Sequence, residues 1–196
     1  MIPGAIVLAF ICWAITFGLS WGNFWIKIGV SVIIICLYSF IWQKPRFQFT
    51  LSNTVIGILS AVVLYGIFYL GNLLAPFIVK GAEIQVGGIY SLGVGTSRVF
   101  VFLLLCFITG PGEEIFWRGF LQKRLMEHFG PAEGFVLGIL LYSGVHIFST
   151  NFILIMAALV AGAFWGGLYL WKRDLGLVIV SHSLWSAFIF AVFPIQ

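Results

Sequence analysis

A chain of 196 residues that is 62% hydrophobic and 8% charged, with a mean hydropathy of +1.14, is not a water-soluble domain, in which about a quarter of residues carry charge. The net charge of +4 is modest, and the Lys and Arg residues sit in short clusters instead of one patch, which speaks against a nucleic-acid partner and suits membrane topology. The composition predicts an all-α, polytopic transmembrane helical bundle, read as one transmembrane domain over 1–196. Its N-terminal spans occupy 1–97, and the spans bearing the chemistry occupy 98–196.

In chain order, apolar runs predict about seven spans, at 4–22, 24–42, 54–79, 99–122, 132–148, 151–170 and 176–193. The first has no basic n-region and no small-residue cleavage site, so it reads as a retained span and not as a signal peptide. Cys12, Cys36 and Cys106 lie within apolar segments without metal-ligand spacing and read as small core or lipid-facing residues. Between the third and fourth runs, Lys80 to Arg98 is polar and rich in glycine, a loop or a lid. Tryptophans such as Trp21, Trp25, Trp42 and Trp171 fall near span ends, as in an aromatic belt. Gly66, Gly71, Gly162, Gly166 and Gly167 suit close helix packing, within one chain or between chains, so the oligomeric state stays open.

Counting Lys and Arg in alternate loops sets the orientation. An N-terminus inside puts Lys44, Arg46, Lys123, Arg124, Lys172 and Arg173 on the cytoplasmic side and leaves Lys80 and Arg98 outside. On that topology Glu113 lies about 15 Å, His146 about 20 Å and His182 about 12 Å from the cytoplasmic ends of their helices. All three fall in one middle band of the bilayer.

An ionisable group in hydrocarbon costs several kcal/mol, so these residues face a protein interior and mark a site. Gly110-Pro111-Gly112 reads as a helix break beside Glu113, and such breaks are tolerated where they line a cavity. Glu114 and Arg118 stand four apart on one helical face and read as a bracing ion pair. Glu113 points about 100° away and is the candidate reactive carboxylate. Tyr142 shares a face with His146, and Ser186 with His182. One carboxylate and two imidazoles can activate a water and protonate a leaving amine, the acid/base set for amide hydrolysis. The same Glu113, His146 and His182 are also a His2Glu zinc set, so a bound zinc or other divalent metal is a second option. His128, at a helix C-terminus beside Lys123 and Arg124, is left out of the site.

Glu113-Glu114-x-x-x-Arg118 with its Trp117-Arg118-Gly119-Phe120-Leu121 continuation, Tyr142-x-x-x-His146 and His182-x-x-x-Ser186 resemble the three ordered motifs of the CAAX protease and bacteriocin-processing family. That family, also called the Abi family, includes the Ras-converting prenyl endopeptidases. The resemblance runs from the fourth span to the C-terminus. It implies a multi-pass intramembrane endopeptidase of a prokaryotic cell membrane that works through Glu113, His146 and His182, with Glu114, Arg118, Tyr142 and Ser186 in support and no cofactor required. The partners it implies are membrane lipids and a peptide or prenylated protein substrate, cleaved at a site opening towards the cytoplasm. The family has Phe where Tyr142 stands and Asn or Asp where Ser186 stands. The second change implies reduced activity or an altered substrate range. A non-catalytic immunity or scaffold protein of the same family and a proton-coupled transporter are the competing readings.

Overall fold

The computed structural model describes residues 1–195 and contains, among them, eight helices and no strand. They are α1 (Ile2–Gly18), α2 (Phe24–Trp42), α3 (Leu51–Ile78), α4 (Ala82–Ser91), α5 (Arg98–Phe129), α6 (Pro131–Ser149), α7 (Phe152–Lys172) and α8 (Leu175–Val192). Six are long and apolar enough to cross a bilayer, and α1, with 17 residues, is a shorter apolar helix. The bundle matches the expected architecture of about seven spans.

Polar caps sharpen the helix starts. Asn23, Thr50, Asn151 and Asp174 each accept backbone N–H groups that the first turn of their helix leaves free. Between α5 and α6 the chain reverses at Gly130, whose φ of +101° is a conformation that side-chain-bearing residues rarely adopt. The outer surface is apolar, with Leu59, Val62, Leu70 and Leu74 among its exposed side chains, as expected of lipid-facing helices. The most enclosed helix is α8, packed against α3, α5 and α7.

Three sequence expectations change. Gly110-Pro111-Gly112 does not break its helix. The backbone passes through a π-helical stretch over Leu105–Thr109 and resumes α geometry at Gly110, so the wider turn accommodates the N–H that Pro111 lacks. The two glycines serve packing instead: a Cβ at Gly110 would lie 2.5 Å from Ser183 Oγ, and one at Gly112 would lie 2.5 Å from Val32 Cγ1. Second, the glycine-rich interruption contains the helix α4, which is tied to α7. Asn151 Nδ2 donates to the Gln85 carbonyl at 2.8 Å, and the Ile153 N–H donates to Gln85 Oε1 at 3.1 Å. Tyr90 holds the other end by accepting the Ile195 N–H at 3.0 Å, and burial pushes its phenol above the ordinary range. Third, Trp25 is buried in the core, whereas Trp21, Trp42 and Trp171 are exposed as a belt requires. Of the small-residue positions, Gly162 packs on Tyr142 and Gly166 on Gln122 and Phe135 within the chain, while Gly66, Gly71 and Gly167 meet nothing.

Candidate active site

The site begins on α5, where Glu113 and Glu114 lie between the π-helical stretch before Gly110 and a second one over Trp117–Gln122. A π turn rotates the residues that follow it relative to a regular α helix, and such turns concentrate at functional positions. Both glutamates are buried, Glu114 completely. Glu114 Oε1 accepts from Arg118 Nη1 at 2.8 Å, so the four-residue spacing forms the ion pair expected of it. Arg118 also donates to the Gly162 carbonyl at 3.3 Å, and its guanidinium lies 4.6 Å from the Tyr142 ring centroid.

His182 meets the other glutamate from the one the sequence pairs it with. Its Nδ1 lies 2.7 Å from Glu114 Oε1, the same oxygen that takes Arg118. Trp165 stacks on the imidazole with centroids 3.7 Å apart and planes 16° apart, and its indole N–H is tied to Ser181 Oγ at 3.2 Å. The ring is thus clamped by a carboxylate at one edge and an indole on one face. Glu113 has no ion pair among the described residues, and the Tyr142 hydroxyl faces it.

At the end of α6 the helix tightens into a 3₁₀ turn over Val145–Ser149, which carries His146. Its Nδ1 lies 2.9 Å from the Tyr142 carbonyl, an acceptor, so Nδ1 holds the proton and Nε2 keeps a lone pair. The Trp13 indole N–H approaches Nε2 at 3.4 Å, long for a hydrogen bond, which leaves that lone pair open to a stronger donor.

One cavity of about 130 Å³ brings Glu113, Tyr142, His146, His182 and Ser186 together in its wall. That is room for several waters, since a site needs only about 10–15 Å³ to hold one. The remaining wall is largely apolar and includes Phe17, Trp25, Ile89 and Leu92. Ile89 and Leu92 belong to α4 and the residue after it, so the glycine-rich segment covers the cavity as a lid. The lining runs towards the ends of the helices that carry the α1–α2 turn, α4 and the α6–α7 turn. Lys44, Arg46, Lys123, Arg124, Lys172 and Arg173 lie at the opposite ends. An opening towards the same face as the basic loops, expected from the sequence, is therefore corrected. Lys27, near the start of α2, donates to the Leu19 carbonyl and joins Lys80 and Arg98 on the cavity side.

Among the described residues, no three His, Cys, Asp or Glu side chains stand close enough to share a metal ion. His182 gives Nδ1 to Glu114, so the Glu113 carboxylate and the Nε2 atoms of His146 and His182 are the groups that a zinc or other divalent metal would have to draw together.

Sequence reasoning passed over Trp13 and Trp165. The signal was position: both lie in the middle of a span, where an indole N–H has no water and needs a partner.

The family model described as "Type II CAAX prenyl endopeptidase Rce1-like" matches residues 95–188, which contain all three motifs. Comparison with curated proteins and with solved structures gave no match. The matched residues make up just under half of the chain and support its membership of the CAAX protease and bacteriocin-processing family.

Proposed function

We propose that this protein is an intramembrane endopeptidase that hydrolyses a peptide bond with a water held between Glu113 and His146. The observation that carries the reading is the division of the two glutamates. Glu114 is occupied by Arg118 and His182, while Glu113 faces the cavity without a cation of its own. Glu113 takes one water proton, and the Nε2 lone pair of His146 receives a hydrogen bond from the other. The oxygen attacks the carbonyl carbon, and the oxyanion that forms is met by the Ser186 hydroxyl, while His182, fixed through its Nδ1–H by the Glu114 carboxylate, shapes the adjoining wall. Glu113 then returns its proton to the amide nitrogen as the C–N bond breaks, releasing an acid and an amine.

The substrate class this reading carries is a short peptide or a prenylated C-terminal tail that enters from the membrane. Several waters fit the cavity beneath α4 but a peptide does not, so α4 lifts to admit it. With the basic loops at the cytoplasmic surface, the N-terminus is inside and the cavity opens towards the opposite surface.

Purified protein in detergent, given a fluorogenic peptide library with and without a prenyl group, tests the activity. Cleavage is expected from the unaltered chain and a loss of at least a thousandfold in Glu113→Gln. Equal rates in the two would end the proposal. Ser186 supports a second reading, a non-catalytic immunity or scaffold protein, because a single hydroxyl replaces the family's amide or acid. Absence of cleavage across the library, with Ser186→Asn restoring it, would favour that reading.

A further inference from the structure

A second cavity, of about 720 Å³, lies at the other end of the bundle, and the catalytic reading makes no use of it. Its wall carries Lys44, Arg46, Lys123, Arg124 and Arg173 against one carboxylate, Glu127. Glu127 pairs with Arg124 at 3.2 Å and Lys123 at 4.0 Å, while Lys44, Arg46 and Arg173 have no carboxylate partner among the described residues. The wall therefore has a surplus of four positive charges; Lys44, Arg46 and Arg173 are exposed, and Arg173 Nη1 lies 3.4 Å from the Met126 sulfur in the same wall.

The backbone holds this arrangement. The extended segment after α2 is fixed to α5 where Gln43 Nε2 donates to the Gly119 carbonyl at 2.9 Å. Across the cavity, Arg173 ends α7 with a φ of +53°, a left-handed conformation in which glycine is the favoured residue. A non-glycine residue held there is strained, and the strained position belongs to one of the three unpaired cations.

We infer that this cavity binds the phosphate of an anionic phospholipid headgroup. Arginine forks match phosphate oxygens, and basic pockets between the cytoplasmic ends of membrane helices suit such headgroups. The choice of a lipid over a free anion follows from the setting. The cavity lies at the ends of α2, α5 and α7 and the starts of α6 and α8, where headgroups lie, and exposed Trp42, Phe47, Phe49 and Trp171 flank it as surface for acyl chains. The inference stands apart from the peptidase reading, since none of these residues lines the first cavity.

The test uses full-length purified protein in a non-ionic detergent, titrated with short-chain phosphatidylglycerol, with phosphatidylcholine of the same chain length, and with inorganic phosphate. The readout is the unfolding midpoint. Phosphatidylglycerol is expected to raise it saturably, and the other two are not. Arg173→Gly should leave the lipid-free midpoint unchanged or higher, because glycine suits that backbone, while weakening phosphatidylglycerol about fivefold. Adding Lys44→Gln and Arg46→Gln should extend the loss to about a hundredfold. An equal response to phosphatidylcholine, a full response to inorganic phosphate alone, or undiminished phosphatidylglycerol binding in Arg173→Gly would each overturn the inference.

Discussion

Glu114 and Glu113 are neighbours of identical chemistry, and position alone separates them. One carboxylate oxygen of Glu114 answers two groups, Arg118 and His182, so its loss reaches both. Glu114→Gln leaves Arg118, which is 2% exposed, without a counter-charge in the core, and removal of one partner of a buried pair costs about 3–5 kcal/mol. Glu113→Gln removes a group with no such pair and should leave the unfolding transition within about 1 kcal/mol of the parent. Chemical unfolding in mixed micelles should therefore separate the two variants even where both abolish cleavage, and equal stability would refute the division of roles. Trp165 belongs to the same scale. Trp165→Phe retains a ring over His182 and should keep activity within about tenfold, whereas Trp165→Ala should lower kcat with little change in KM, as expected of a residue that positions another. A purely structural role would lower stability and leave kcat per folded molecule unchanged.

At the scale of the helix, glycines on different faces behave oppositely. Gly110 sits where α5 and α8 touch, and Gly110→Ala would drive a methyl group into the backbone and hydroxyl of Ser183, an overpacking change of about 1–3 kcal/mol. Gly66, within α3, meets no neighbour, so Gly66→Ala should stabilise by about 0.5–1 kcal/mol through helix propensity. Unfolding of the two variants side by side checks both signs, and a stabilising Gly110→Ala would mean that the helices stand farther apart. Helix α4 is the movable element in the peptidase reading. Gln85→Ala cuts its side-chain tie to the start of α7, so amide exchange over 82–91 should rise and KM for a peptide should change before kcat does.

Across the whole molecule, two cavities face opposite ends of the bundle, and most of the loop cations sit at the end of the second. On the proposed reading, the positive-inside rule sends the first cavity towards the non-cytoplasmic side. In a chain whose own cysteines are replaced, a membrane-impermeant maleimide should label Val94→Cys in intact cells and Leu51→Cys only after permeabilisation. Both positions are exposed and lie at opposite ends. The reverse pattern would place the cavity at the cytoplasmic face and invert the topology drawn from charge.

The primary structure alone determined the bundle, because apolar runs of span length have one stable form in a bilayer that satisfies their backbone. It also determined the Glu114–Arg118 pair, since residues four apart on a helix meet whatever else surrounds them. The partner of His182 was decided only by tertiary structure: the residues are 68 positions apart, and the π turns that flank the glutamates set which of the two faces α8. The same holds for Trp13 and Trp165, for the lid and for the end at which the cavity opens, because each depends on how separate helices are rotated against one another. Helical periodicity shows which residues share a face of one helix, and only packing chooses what that face meets.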